Sequence, residues 1–189
     1  MIIPPHSKDL CEYYTGIGSR QTPEIWRDVF ANIGTFLYQE YGLILRSGGA
    51  DGADTYFEKA KGPKHIYLPS YYFNSRTADN QTYIYPTESI KQRNEPIIRQ
   101  CCPHWDNIKR PTVRNLLLRN MCQILGHAPD KLEYSKFVLC WTPNGEFAGG
   151  TRYAIACAEL YNIPVFNFGN YTASNYENDL FDFLEGIME

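Results

Sequence analysis

An α/β fold, an open and mostly parallel sheet with helices on both faces, is predicted by three observations. Short apolar runs alternate with stretches of helical periodicity along most of the chain. The run Lys136–Trp141 is nearly all apolar, as a central strand of a parallel sheet must be. Glycine clusters at Gly16-Ile17-Gly18, Gly48-Gly49 and Gly149-Gly150 fall at the carboxyl ends of strands, where such sheets bind ligands.

Taken in order, residues 1–11 read as a loose arm. Glu12–Thr15 is a first short strand, ending at Gly16-Ile17-Gly18-Ser19-Arg20. Thr22 reads as an N-cap with Pro23 at the first helical position. Ile25, Trp26, Val29, Phe30, Ile33, Phe36 and Leu37 give the helix that follows one buried face, and Gly42 closes it. Leu43–Ser47 is the second strand, parallel to the first through a right-handed crossover. A helix is expected from Gly52 to Lys61, then a third strand at His65–Leu68.

The stretch from Pro69 to about Thr87 is rich in Tyr, Asn, Ser and Thr and has no clear period. It is long for a loop and reads as a lid or insertion. With a helix over Ser89–Cys101, the irregular insertion runs over about 69–110. Pro111–Leu125 is a helix stopped by Gly126, Ile163–Asn167 is a fifth strand, and Asn175–Ile187 is an amphipathic closing helix. The helix from about Gly149 to Tyr161 precedes that fifth strand. All 189 residues are read as one domain.

Composition narrows the function classes. Hydrophobic residues make up 43%, the level of a soluble globular chain. The net charge of −3 argues against broad, sequence-blind binding of nucleic acid, which needs a basic surface, so nucleic acid is not the expected partner, although a local basic pocket is still allowed. No apolar run spans a membrane and the start lacks the regions of a signal peptide, which points to the cytosol. The six cysteines, Cys11, Cys101, Cys102, Cys122, Cys140 and Cys157, are then expected as free thiols. Cys101-Cys102-Pro103-His104 has no second ligand pair at zinc spacing, so neither a metal nor a cofactor is called for.

The richest chemistry lies in Leu43–Asp54, where a strand breaks into Ser47-Gly48-Gly49-Ala50-Asp51 before a helix. Bare N–H groups and the helix dipole there suit an anion, and glycines admit close approach of a ligand; a tight turn alone uses the same residues. Arg20 suits forked recognition of phosphate or carboxylate, and equally suits a surface position after a turn. Arg119 and Asn120 interrupt the apolar stripe of their helix. They point to solvent, satisfy a neighbouring loop, or bind ligand.

Gly16-Ile17-Gly18-Ser19-Arg20, Ser47-Gly48-Gly49-Ala50-Asp51-Gly52-Ala53-Asp54 and Gly149-Gly150-Thr151 together resemble the SLOG superfamily. This Rossmann-like group includes the LOG phosphoribohydrolases, DNA-processing protein A and sensors of nucleotide-derived signals. The resemblance covers roughly residues 12–168 and is nearest to small stand-alone members of phages and bacteria. It implies a pocket for a nucleotide, cyclic nucleotide or ADP-ribose-like signal. Gly16, Gly18, Ser19 and Arg20 would line one side, with Ser47, Gly48, Gly49, Ala50 and Asp51 at the centre. Gly149, Gly150, Thr151 and Arg152 would hold phosphate, with Arg119, Asn120, Trp141 and Thr142 also at the site. Asp54 would receive a ribose hydroxyl or brace the loop, or simply offset the helix dipole. Trp141 would stack on a base, or close a core strand.

Departures from the family pattern divide the functions. The LOG motif G-G-x-G-T-x-x-E places a catalytic glutamate where this chain has Ala154. That weighs against catalysis unless Asp51, Asp54 or Glu58 substitutes. The resemblance therefore implies a binder first, with a role as a sponge that removes an immune signal in a host cytoplasm. Cleavage of an N-glycosidic bond is the alternative, and binding of single-stranded DNA a further one. Relatives in this superfamily assemble as dimers or tetramers, so a homo-oligomer is expected.

Overall fold

The computed structural model describes residues 12–147 and 149–188. The expected N-terminal arm and Cys11 lie outside the described residues. A six-stranded sheet forms from β1 (Tyr13–Gly18), β2 (Ile44–Ser47), β3 (Lys64–Tyr67), β6 (Tyr83–Ile84), β7 (Val138–Trp141) and β8 (Val165–Asn167). Its spatial order is β6-β3-β2-β1-β7-β8 and every neighbouring pair is parallel. The remaining strands, β4 (Tyr72–Phe73) and β5 (Arg76–Thr77), make a separate antiparallel hairpin. This is a Rossmann-like α/β fold.

Two apolar layers follow from the alternation of side chains along each strand. On one face Tyr14, Leu45, Ile66, Leu139 and Phe166 pack against α1 (Trp26–Tyr41), α2 (Ala53–Glu58) and α6 (Glu177–Met188). On the other, Ile17, Val138 and Cys140 pack against α3 (Glu88–Cys101), α4 (Pro111–Leu125) and α5 (Thr151–Leu160). α4 touches α3, α5 and the sheet, so it is buried continuously from Leu117 to Leu125. That position explains how Arg119, Asn120 and Gln123 come to be buried on a helix that also carries core leucines.

Local starts and stops differ from the sequence reading in instructive ways. Thr22 is not the N-cap of α1. Its hydroxyl donates to Ser19 O at 2.6 Å, and a turn through Pro23 and Glu24 delays the helix to Trp26. Gly42 does close α1, at φ +69°. α2 is shorter than expected, ending at Glu58. Within 69–87 the structure places β4, β5 and β6. The reason they carry no period is length, since two residues cannot show an alternation. The five described cysteines are free thiols.

A polar row crosses the sheet beneath the end of α4. Thr15, Arg46 and His65 are aligned in register on β1, β2 and β3. Thr15 Oγ1 donates to Gln123 O at 2.6 Å. The Arg46 guanidinium, fully buried, lies 3.6 Å over the Tyr13 ring and donates to Glu133 O. The His65 and His127 rings stand 5.0 Å apart, and His127 Nδ1 bonds the Tyr67 hydroxyl at 3.0 Å. Burial, then His127 and Arg46, hold His65 down at about 4; burial and then Arg46 lower His127 as well.

The unfolded chain therefore binds more protons than the folded one between about pH 4 and the ordinary histidine value near 6.5. Stability rises with pH through that window and is lost on acidification. Urea midpoints at pH 7 and pH 5 should fall for the native chain and fall less for His65→Gln; equal falls would take His65 out of the acid response.

Candidate functional site

β1 and β7 are neighbours at the point where the chain stops adding strands on one side of β1 and begins on the other. The turns that leave their carboxyl ends must diverge, and a crevice opens between them. Here it is a cleft of about 770 Å³. The β1–α1 loop, Gly18 to Gln21, forms one wall, and Gly149 to Tyr153 at the start of α5 forms another. Ile108, Val113, Leu116 and Leu117 make a third, apolar wall. Ala50, Asp54, Arg119, Asn120 and Gln123 complete the lining.

The charged pair in this lining is buried. Arg119 is 3% exposed and Asp54 3% exposed. Asp54 Oδ1 accepts from Gly18 N at 3.1 Å and Oδ2 from Ala50 N at 3.3 Å. The carboxylate thereby ties the end of β1 to the loop after β2. Arg119 Nη1 stands 3.8 Å from Asp54 Oδ2, outside direct hydrogen-bond range. With the Gln123 amide oxygen turned toward them, it accepts from Arg119 Nη1 at 2.6 Å and from Gly48 N at 3.0 Å. Arg119 Nε, fully buried, has no hydrogen-bond partner among the described residues. Burial pushes the Asp54 carboxyl up to about 6, against the pull of Arg119 and the two N–H groups, while Glu58 adds to the rise. Burial lowers Arg119, and Asp54 opposes that.

Of the residues singled out in the sequence, Gly18, Ser19, Arg20, Ala50, Asp54, Arg119, Asn120, Gly149, Gly150, Thr151 and Arg152 line the cleft. Asn120 Nδ2 donates to Gly150 O at 3.1 Å, which anchors the start of α5. Arg20 and Arg152 are exposed at the rim, and Arg152 lies 4.6 Å over the Tyr153 ring.

The remaining residues lie outside the cleft lining, and each meets another part of the protein. Gly16 lies under Phe57, whose ring would stand 2.6 Å from an added Cβ. Ser47 Oγ donates to Gly16 O at 2.6 Å. A Cβ on Gly48 would collide with the Arg119 guanidinium, so this glycine is needed by the protein's own arginine. Gly49 adopts φ +65°, and its carbonyl accepts from Asn74 Nδ2 and Arg76 Nη1, both at 3.0 Å. Asp51 accepts from Asn74 Nδ2 at 2.9 Å. Trp141 packs against the core cluster beside α1, and Thr142 is buried with its hydroxyl bonded to Asn167 Nδ2.

Sequence reasoning missed the clamp around the central loop. The β4–β5 hairpin brings Asn74 and Arg76 onto Gly49 and Asp51. Arg76 is fixed in turn by Glu58 at 2.5 Å, and the Tyr83 hydroxyl donates to the same carboxylate at 3.0 Å. Nothing local marks these residues, since each meets a partner far along the chain. Gln123 was also missed, yet it had a signal: it lies four residues after Arg119 on the same helical face. Of the carboxylates considered as substitutes for the LOG glutamate, only Asp54 reaches the cleft; Asp51 and Glu58 are held by the clamp.

Among the described residues no three His, Cys, Asp or Glu side chains gather as a metal site, and no helix is long and apolar enough to cross a membrane. No family model and no curated protein matches the chain. Among solved structures it is similar to DNA processing protein A from Helicobacter pylori, described as having a unique single-stranded DNA binding mode. Identity is 18%, the TM-score 0.49, and the match covers 84% of this chain and 66% of that one. The chain thus spans slightly under two thirds of that protein's length.

This finding corrects one expectation. The net charge of −3 does not by itself rule out nucleic acid as a partner, and the similar protein is one described by a single-stranded DNA binding mode. The physical reason is that net charge sums the whole surface, whereas binding is local. The cleft gathers Arg20, Arg119 and Arg152 against one carboxylate, Asp54, in a chain whose total charge is −3.

Proposed function

We propose that this chain is a SLOG-type domain whose cleft binds a nucleotide-derived small molecule and holds it unchanged. The observation that carries the reading is Arg119: a buried guanidinium in the cleft lining whose Nε has no partner among the described residues. A buried donor left unpaired is costly, and an anionic ligand supplies the acceptor. Support comes from the rim arginines, the uncapped start of α5 and the apolar wall, which suits a base or ribose face. Because Ala154 occupies the LOG glutamate position and is fully buried, the ligand is held and not cleaved. A stand-alone binder of this kind acts by sequestration, as a sponge for a signalling nucleotide.

One observation favours the alternative, cleavage of an N-glycosidic bond. Asp54 lines the cleft with a carboxyl held at about 6, a value suited to proton transfer near neutral pH. A panel of nucleotides and cyclic nucleotides, read by thermal shift and then chromatography, separates the readings. Intact ligand with a raised melting temperature supports the binder. Free base released at catalytic protein concentrations supports the enzyme. Salt-sensitive retention of a single-stranded oligonucleotide, with no shift from the panel, would replace both.

Arg20→Ala should weaken whichever anionic ligand emerges by about tenfold, since a charge-assisted hydrogen bond at the rim is lost. Titration calorimetry measures this, and unchanged affinity would remove Arg20 from the site.

A further inference from the structure

We infer that Asp54 is the resident anion of the cleft, and that an incoming anion takes its place beside Arg119 only together with one proton, which Asp54 accepts from solvent. The inference rests on the proposed reading in one respect, that the cleft receives an anion.

The geometry is that of an occupied site. Gly18 N and Ala50 N, both on cleft-lining residues, already point at the two oxygens of Asp54. Arg119 is the one cation within ion-pair range of that carboxylate among the described residues, and at 3.8 Å it is near without bonding it. An anion that reaches the unpartnered Arg119 Nε therefore arrives beside a second negative charge. Both would stand in a lining where Arg119 and Asp54 are each 3% exposed. Two carboxylate-like charges cannot share one buried cation, and the cheaper state is the one with a neutral acid.

The groups that face Asp54 pull in two directions: burial and then Glu58 favour the neutral acid, whereas Arg119 and the two backbone N–H groups favour the carboxylate, and an anion that engages Arg119 weakens the largest of these opposing pulls. Arg119 comes from α4, the Gly18 N–H from β1 and the Ala50 N–H from the loop after β2. Glu58, one turn further along α2, adds negative charge and is itself neutralised by Arg76 at 2.5 Å. Arg20 acts on Arg119 from the β1–α1 loop. Burial has already raised the carboxyl to about 6, so Asp54 is ionised in the empty cleft at pH 7.5 and has a proton to gain there. The step balances simply: one O–H bond forms on Asp54, one proton leaves the solvent, and no other bond changes. Once protonated, Asp54 keeps a carbonyl oxygen for a backbone N–H and gains a hydroxyl that can donate to the anion.

Sulfate is the probe, because its charge is constant between pH 5 and pH 8. Titration calorimetry in two buffers of different ionisation enthalpy should find about one proton taken up per sulfate at pH 7.5. Affinity should fall by up to about tenfold between pH 6.5 and pH 7.5, the limit for one linked proton. Asp54→Asn should flatten that dependence, and Arg119→Met should abolish the proton uptake. Should Asp54→Asn fail to fold, carbon-13 NMR of the native chain reads the Asp54 carboxyl directly, and its titration should move to higher pH with sulfate present. Sulfate affinity that does not change with pH overturns the inference, as does the absence of sulfate binding at pH 5.5. Proton-linked sulfate binding with no nucleotide bound would instead leave the inference standing and remove the nucleotide reading.

Discussion

Arg119→Ala should lower the unfolding free energy by about 3–5 kcal/mol at pH 8, the range for breaking a buried ion pair from one side. The variant leaves the Asp54 carboxylate buried with two backbone donors and no cation. It also frees Gln123, whose oxygen the guanidinium shares with Gly48 N. The pH dependence carries the diagnosis. The folded-state value of Asp54 is already raised to about 6 above the ordinary carboxylate range, so its protonated form stabilises the fold at low pH and that contribution is lost as pH rises. Removing Arg119 raises the value further and extends the loss to higher pH. The deficit against the native chain should therefore be larger at pH 8 than at pH 5.5. Urea denaturation at both pH values measures it. Arg119→Met, which keeps the apolar stem, should show the same pH trend with a smaller total. A deficit equal at both pH values would mean that the arginine matters for packing alone. Nucleotide affinity should be lost in both variants.

Much of this architecture was legible in the sequence because it depends on long apolar patterns. α4 carries the bounds that its periodicity predicts, Pro111–Leu125, and β7 lies inside the apolar run that marks it. The alternation of strand and helix dictated a parallel sheet covered on both faces, and that sheet brings the β1 and β7 turns together. What could not be read was which glycines face a ligand and which face the protein. Gly48 and Gly150 look alike in sequence. In the structure one is pressed against Arg119, while the other lines the cleft, where an added Cβ would meet nothing nearer than 4.0 Å among the described residues. Space around a glycine is set by residues far away in the chain, here Arg119 and Gln123. The same holds for Asp54, whose role as a brace is defined by N–H groups on two different loops. The hairpin residues Asn74 and Arg76 fall in a turn and in a two-residue strand, too short for any pattern, and only tertiary contact gives them meaning.

Phe57→Ala should destabilise the fold by about 3–5 kcal/mol, as truncation of a fully buried aromatic does. Its ring stacks on Phe30 with centroids 4.3 Å apart and planes within 5°. Phe57 follows Asp54 by three residues on α2, and a helix of six residues has no stability of its own. The cavity should therefore loosen Asp54 as well, so that nucleotide affinity falls alongside the urea midpoint. Gly16→Ala should cost about 1–3 kcal/mol for the opposite reason, because its methyl would enter the Phe57 ring at 2.6 Å. The double variant tests the shared cause. With the ring gone, the Gly16 methyl projects into the vacated space, and the pair should lose at least about 1 kcal/mol less than the sum of the single losses. Additive losses would show that Gly16 is required for something other than the seat of α2 on β1. A ligand approaching its backbone would then become the better account of that glycine.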